Sequence, residues 1–150
     1  MSNMHERFIR LSIKAALRAR EHGNEPFGAM LVKDGEVLLE AENSQNTDRD
    51  LTRHAELNLV SEAMRRFEPE VLAQSILYSS TEPCAMCAAA IYWAGIPTVV
   101  YSCSAESWDS QASSGLLIPC REIFARGSRQ VEIIGPLLEE EGLIVYQDYW

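Results

Sequence analysis

The first third of the chain changes from a helical to a strand-like spacing of apolar residues. Over residues 6–22 apolar side chains recur at helical spacing among Arg, Lys and Glu, which predicts an amphipathic helix that ends at Gly23. Residues 27–32 and 37–41 predict two strands. Asp34-Gly35 between them accepts the positive backbone dihedrals of a tight turn, so we expect a β-hairpin.

Helix-like and strand-like segments alternate through the rest of the chain. The predicted elements are a helix over 54–67, a strand over 76–80, a helix over 84–94, a strand over 98–102, a helix over 119–126 and a strand over 131–134. This alternation predicts an α/β domain with helices packed on the faces of a mixed sheet. No repeat or long linker interrupts it, so we expect one domain over residues 1–150. Residues 137–150 fit either a short helix or an extended tail.

Composition and charge narrow the class of protein. With 150 residues, 47% of them hydrophobic, the chain can bury a sizeable core without disulfides. No apolar run approaches the roughly 18 residues of a membrane helix, and the first ten residues lack the pattern of a secretory signal. We therefore expect a cytoplasmic protein with reduced cysteines and no membrane partner. The net charge of −9 opposes a nucleic-acid partner and favours a small-molecule substrate.

Two short motifs carry candidate metal ligands. Cys84 and Cys87 form a C-x-x-C pair, which alone fits a redox pair, half of a structural zinc site or part of a catalytic one equally well. His54 favours the catalytic zinc site, because three protein ligands leave a fourth position open for water. A structural site would need a fourth protein ligand. The other cysteines, Cys103 and Cys120, are expected to be small buried apolar groups.

Glu56 is the candidate acid and base. It follows His54 by two residues, so on a helix the two side chains point in different directions and do not easily bind the same ion. A carboxylate beside the open metal position can take a proton from water and deliver it to a ring nitrogen and to a departing amine. We therefore assign proton transfer to Glu56.

The pairing of H-x-E with P-C-x-x-C is the signature of zinc-dependent nucleobase deaminases. The chain carries both halves, and over roughly residues 6–135 it resembles the guanine deaminase and tRNA adenosine deaminase branch of the cytidine deaminase-like superfamily. The segments that carry the resemblance are Pro26-Phe27-Gly28-Ala29, Asn43, Thr52 with His54-Ala55-Glu56, Glu82-Pro83-Cys84 and Ala90-Ile91-Tyr92-Trp93-Ala94.

This resemblance implies a fold and a cofactor. The fold is a three-layer α/β/α cytidine deaminase-like fold with a five-stranded mixed sheet. The cofactor is Zn²⁺, held by His54, Cys84 and Cys87, with Glu56 as the acid/base. The family is commonly dimeric, so a homodimer is expected.

Substrate contacts are also implied by similarity, and for several of them a structural role is the alternative. The implied substrate-binding residues are Asn43, Phe27, Trp93 and the backbone amides of Ala55 and Cys84. From its position alone, Asn43 also fits a turn residue and Trp93 a core residue. Three aromatic residues, Tyr146, Tyr149 and Trp150, either form a lid over the pocket or pack against the sheet or a partner subunit.

Two departures from the family pattern bear on the substrate. Guanine deaminases of this kind carry an acidic residue after the fourth strand, and none is present here over residues 111–116. The tRNA branch has Asp-Pro-Thr-Ala before His-Ala-Glu, whereas residues 50–53 here are Asp-Leu-Thr-Arg. Together with the negative charge, this favours hydrolysis of a free aminopurine, guanine first, with release of ammonia. Cytosine, an s-triazine and adenosine in tRNA are the alternatives.

Overall fold

The computed structural model describes residues 2–113 and 115–150, in which helices and strands alternate. In chain order the elements are α1 (Ser2–Glu21), β1 (Gly28–Lys33), β2 (Glu36–Glu42), α2 (Ala55–Arg66), α3 (Pro69–Leu72), β3 (Ile76–Thr81), α4 (Ala85–Ala94), β4 (Thr98–Cys103), α5 (Ala105–Ala112), α6 (Cys120–Ala125), β5 (Glu132–Ile134), α7 (Glu139–Leu143) and a 3₁₀ helix (Ile144–Tyr146).

The strands form one mixed sheet in the order β2-β1-β3-β4-β5. β1 pairs antiparallel with β2 and β3, whereas β4 pairs parallel with β3 and β5. The hairpin between β1 and β2 turns at Asp34 and Gly35, whose φ values of 52° and 76° are those of the predicted turn. Because β3 and β4 are parallel, their carboxyl ends lie at the same edge of the sheet, where α/β proteins commonly bind ligands.

Successive residues of the central strands belong to two different apolar cores. On β1, Leu31 packs with residues of α2, α4 and α6, whereas Met30 packs with residues of α1 and the 3₁₀ helix. The same alternation occurs in the pairs Leu77/Tyr78 and Val99/Val100. A helical layer therefore covers each face of the sheet, which confirms the three-layer α/β/α fold.

Helix α1 lies directly against the start of β1. A Cβ at Gly28 would lie 2.5 Å from the backbone nitrogen of Ala16 and in contact with the backbone oxygen of Ser12. Because backbone atoms cannot rotate away as a side chain can, only glycine allows this approach. The contact fixes the strand that begins immediately after Phe27.

Several elements differ from their predicted bounds. α1 begins at Ser2 instead of residue 6, and residues 137–150 contain α7 and the 3₁₀ helix, so the short-helix alternative is the observed one. α3 and α5 are absent from the predicted pattern, because one is a single turn and the other carries few apolar residues. One local feature does indicate the start of α5: Ser is a common N-cap residue, and Ser104 Oγ accepts a hydrogen bond from the Ser107 backbone N–H.

No helix within residues 2–113 and 115–150 combines the length and the apolarity that a membrane-spanning helix needs.

Candidate metal centre and catalytic pocket

Two helices that contact each other, α2 and α4, each begin immediately after a candidate metal ligand. His54 is the N-cap of α2 and Cys84 is the N-cap of α4, each with an extended backbone conformation. Neither side chain caps its own helix, so both remain available for a metal. Cys87 lies one turn into α4 and projects from the same side as Cys84. The predicted helices began at His54 and Cys84 themselves; both residues instead stand immediately before their helices.

The distances between the three side chains suit a zinc ion. His54 Nδ1 lies 3.6 Å from Cys84 Sγ and 3.7 Å from Cys87 Sγ, and all three ligand atoms lie within 4.8 Å of one another. Tetrahedral bonds of about 2.0–2.3 Å require ligand atoms about 3.5 Å apart. In residues 2–113 and 115–150 no fourth His, Cys, Asp or Glu joins this group. The site therefore has the three-ligand composition of a catalytic zinc centre and not the four of a structural one.

The electrostatics of the cluster favour a thiolate at Cys84. Its pKa falls to about 4, first because the Cys87 thiol donates a hydrogen bond to it and then because His54 does. The same hydrogen bond and burial raise the pKa of Cys87, while the contact with Cys84 raises the pKa of His54. Elsewhere, burial raises the pKa of Cys103 to about 12 and keeps this thiol neutral, as expected of a buried apolar group.

Glu56 lies in the first turn of α2, and its side chain is almost entirely buried. Its pKa is raised to about 7, first by burial and then by the nearby Cys84 thiolate, whereas His54 and a hydrogen bond with Ser79 lower it. Glu56 is not one of the clustered metal ligands. A carboxyl group whose pKa lies near neutrality can both accept and donate a proton during a reaction.

Two of the metal ligands, His54 and Cys84, line a cavity of about 400 Å³ together with Glu56. Its apolar wall is formed by Phe27, Leu51, Met86, Trp108 and Leu116, and its polar side chains include Glu25, Gln45 and Glu82. Residues 111–116 lack the acidic residue that guanine deaminases of this kind carry after the fourth strand. One residue of this stretch, Ser114, lies outside the residues that the structure describes. A cavity of this volume, with a mostly apolar wall and few polar groups, is typical of a small-molecule site.

The structure places the implied substrate-binding residues in different positions. Phe27 lines the cavity, whereas Asn43 and Ala55 are fully buried and lie outside its lining. The Asn43 side chain bonds Gln45, as the turn-residue alternative expects. Trp93 is 79% exposed, so within one chain it neither walls the cavity nor packs in the core. Trp93 is exposed because it lies on the side of α4 that faces away from the sheet.

The aromatic C-terminal residues pack against the cavity wall from outside. Tyr146 is buried, and its hydroxyl forms a hydrogen bond with Thr81 Oγ1, which lies at the end of β3. The Trp150 ring lies 6.3 Å, centroid to centroid, from both Phe27 and Trp108. None of these C-terminal rings lines the cavity described above. The packing alternative is therefore observed for Tyr146, and Trp150 supports two wall residues from behind.

Glu82 is a site residue that the sequence did not reveal. Its carboxylate accepts hydrogen bonds from the backbone N–H of Ala105 at 2.9 Å and of Cys120 at 2.7 Å, the first residues of α5 and α6. It therefore fixes the two helices that flank the segment containing Leu116. Trp108, on α5, was likewise missed; its indole Nε1 is buried with no hydrogen-bond partner among the described residues.

Comparison with known proteins identifies the family. The sequence profile of the family described as the cytidine and deoxycytidylate deaminase zinc-binding region matches residues 2–103. The chain belongs to this family. It is thus a zinc-dependent deaminase, and a hydrolase, as the resemblance implied. The three clustered side chains of His54, Cys84 and Cys87 are the residues that fit the zinc ion of this family.

Relatives within the family differ in their substrates. A Schizosaccharomyces pombe protein named probable cytosine deaminase is 32% identical over 95% of this chain and 90% of its own length. A Bacillus subtilis tRNA-specific adenosine deaminase is 33% identical over 91% of this chain and 82% of its own. The solved structure of Bacillus subtilis guanine deaminase, 30% identical, superposes with a TM-score of 0.64 and covers 97% of this chain and 92% of its own. Family membership therefore establishes that the chain catalyses deamination, but it does not identify the ring that is deaminated.

Proposed function

We propose that this deaminase acts on a free amino-heterocycle, most favourably guanine or a similar aminopurine, and releases ammonia. The observation that carries the proposal is the buried Glu56 beside a three-ligand metal cluster, both opening into a cavity of about 400 Å³. A planar ring fits between the aromatic walls of such a cavity. A polynucleotide substrate is disfavoured by the net charge of −9 and by the acidic groups Glu25 and Glu82 in the lining.

The metal and the residues around the cavity have different roles in the proposed hydrolysis. When bound, zinc acts as a Lewis acid that lowers the pKa of water towards about 7. Glu56 takes up one proton of the attacking water and delivers it to the ring nitrogen. It then transfers the second proton, from the hydroxyl group on the attacked carbon, to the amine, which leaves as ammonia. Phe27 contacts one side of the ring.

Cytosine is the second candidate substrate. The relative named probable cytosine deaminase matches over almost the whole length of both chains, including the segment after residue 103 that contributes Trp108 and Leu116 to the cavity wall. A smaller pyrimidine would leave part of the cavity to water. The s-triazines are a third ring class of similar size.

We also propose that two copies of the chain associate through α4. This helix is apolar on all sides, yet Met86, Ala89, Ala90 and Trp93 lie on one face that the domain itself leaves partly or largely exposed. A second copy covering this face would bury the 79% exposed Trp93.

All four cysteines are free, which agrees with a reducing, cytoplasmic location.

The proposed activity is tested by ammonia release from a panel of rings by the zinc-loaded protein. The panel contains guanine, 2-aminopurine, cytosine, adenine, an amino-s-triazine and tRNA. Glu56→Gln keeps the size of the side chain, so we expect normal zinc content and a rate reduced by at least about 100-fold. Glu62→Gln, an equal change on the same helix outside the cavity, is the control and should keep full activity.

Two outcomes would contradict the proposal. Ammonia release from tRNA alone would move the substrate to a polynucleotide. An undiminished rate in fully zinc-loaded Glu56→Gln would remove Glu56 from the chemistry.

A further inference from the structure

We propose that Gln45 determines which ring is accepted, by donating a hydrogen bond from its side-chain Nε2 to an acceptor atom of the substrate. The inference deepens the proposed function and rests on it, because it concerns the ring that the same cavity binds. It also differs from the expectation that Asn43 contacts the substrate directly. The hydrogen bonds that the two side-chain amides already form determine which atom of Gln45 remains available.

The orientation of the Asn43 amide follows from a backbone group. The backbone N–H of Gln45, which can only donate, lies 2.9 Å from Asn43 Oδ1. Oδ1 is therefore the acceptor of this pair, and the other end of the same amide is the donor Nδ2. Asn43 is fully buried, so solvent cannot offer its amide a different arrangement.

The orientation of Gln45 follows in turn from Asn43. Asn43 Nδ2 lies 3.2 Å from the Gln45 side chain, and because Nδ2 donates, the atom facing it is the acceptor Oε1. The remaining polar atom of that amide is Nε2, which carries two N–H groups. Among residues 2–113 and 115–150, no hydrogen-bond acceptor is found for it.

The rest of Gln45 is held in place by its neighbours. Its backbone oxygen accepts a hydrogen bond from Asp50 N at 3.0 Å. In the same loop, Asn24 Oδ1 accepts hydrogen bonds from the backbone N–H groups of Asn46 and Thr47. The loop that carries Gln45 is thus fixed on both sides of it. A donor that is held before the ligand arrives loses little entropy when it binds.

Gln45 lines the same cavity as Glu56 and the metal ligands His54 and Cys84, whereas Asn43 does not. A donor in this position favours a ring whose edge carries a carbonyl oxygen or an unprotonated ring nitrogen. It disfavours a ring that presents an N–H there, because two donors would then face each other. Asn43 accordingly acts as a positioning residue, which sets the hydrogen-bonding polarity of Gln45.

The test measures ring affinity by calorimetry, in zinc-loaded protein carrying Glu56→Gln so that the ligand is not consumed. Each acceptor is deleted in turn, except the ring nitrogen that receives the proton from Glu56. For guanine, 7-deazaguanine lacks the N7 acceptor and 2-aminopurine lacks the 6-oxo acceptor; for cytosine, 4-aminopyrimidine lacks the 2-oxo acceptor. Gln45→Met removes the donor at similar size, and we expect the affinity for the parent ring to fall about tenfold to 100-fold.

One deletion analogue should be insensitive to Gln45→Met, with affinity changed by no more than about twofold, and that analogue identifies the atom that Gln45 contacts. Gln74→Met, an equal change at an exposed glutamine outside the cavity, is the matched control and should alter no affinity. Zinc content and melting temperature of each variant exclude a loss of folding as the cause.

A second variant tests the role of Asn43. Asn43→Asp replaces the donor Nδ2 by an acceptor, so the Gln45 amide should turn over and present Oε1 to the ring. The parent ring should then bind at least tenfold more weakly, and the change should add nothing further in the Gln45→Met background.

Equal losses for the parent ring and for every analogue, or an unchanged affinity of Gln45→Met, would overturn the inference while leaving the proposed function standing. Failure of the proposed function is distinguished by the absence of ring binding in every protein tested, the Gln74→Met control included.

Discussion

Glu82 Oε2 accepts a hydrogen bond of 2.7 Å from the backbone N–H of Cys120, although 38 residues separate them in the chain. The other carboxylate oxygen accepts from Ala105. One buried side chain at the end of β3 therefore holds the starts of α5 and α6, two helices that flank part of the cavity wall. The contact thereby helps to position Trp108, which lies on α5, and the segment between the two helices that contains Leu116.

Glu82→Gln should weaken this arrangement. A glutamine keeps one acceptor but turns an NH₂ group towards the second backbone N–H, so one charge-assisted hydrogen bond is lost. We expect a loss of about 1.5–3 kcal/mol in the free energy of unfolding, measured by urea denaturation, and a raised KM because the wall is less well fixed. Glu106→Gln, in the exposed first turn of α5, should change stability by less than about 0.5 kcal/mol. Equal effects of the two changes would refute the role of Glu82.

Removal of a metal ligand should abolish zinc binding and activity together. Cys87→Ser replaces a thiolate by a poor zinc ligand within the cluster. We expect zinc content, measured by atomic emission, to fall to a small fraction of one per chain. Cys103→Ser is the matched control, since Cys103 is buried but outside the cluster, and it should retain zinc.

A chelator should reproduce the effect of Cys87→Ser in the unmodified protein. Binding to the folded state alone stabilises it by about 4 kcal/mol when zinc is present at 1,000 times its Kd, so the melting temperature should drop on chelation and recover when zinc is returned. Full activity of the metal-free protein would contradict a catalytic zinc centre.

The metal cluster was predictable from the sequence, and the polar contacts around it were not. His54, Cys84 and Cys87 lie in two motifs whose spacing has few other meanings, so their convergence could be inferred without knowing the topology. Glu82 sits inside one of those motifs, but its partners are backbone groups of helices that only the tertiary structure brings to it. The sequence around Glu82 does not indicate hydrogen bonds to backbone amides so far away in the chain.

Asn43 and Trp93 show two further limits of the sequence. The position of Asn43 in the sequence does not show that its side-chain amide forms hydrogen bonds with Gln45, two residues later. For α4, a helix that is apolar on every side has no periodicity to indicate which face is covered. Trp93 is 79% exposed within one chain, because its face of α4 points away from the sheet.

Trp150 should affect the substrate pocket without lining it. Its ring contacts Phe27 and Trp108, which both line the cavity, so Trp150→Ala should allow these rings to move. We expect a stability loss of about 0.5–1.5 kcal/mol beyond the burial lost, and an increase in KM that exceeds the decrease in kcat. Tyr149→Ala is the comparison, because Tyr149 contacts Trp150 and Arg20 instead of the wall. A larger KM effect for Tyr149→Ala than for Trp150→Ala would exclude this supporting role.

Trp93 should control association of the chain with a second copy. It is 79% exposed on the apolar face of α4, near the end of the helix, and a Trp that becomes buried in an interface typically contributes at least about 2 kcal/mol. Trp93→Asp should therefore raise the dimer Kd by about 30-fold or more, measured by sedimentation or light scattering over a dilution series. Leu17→Asp changes a partly exposed apolar residue on α1, across the sheet from α4, and should leave the dimer intact. A monomeric unmodified protein at tens of micromolar, or a Trp93→Asp protein that dimerises as tightly as the parent, would show that this face serves another partner or none.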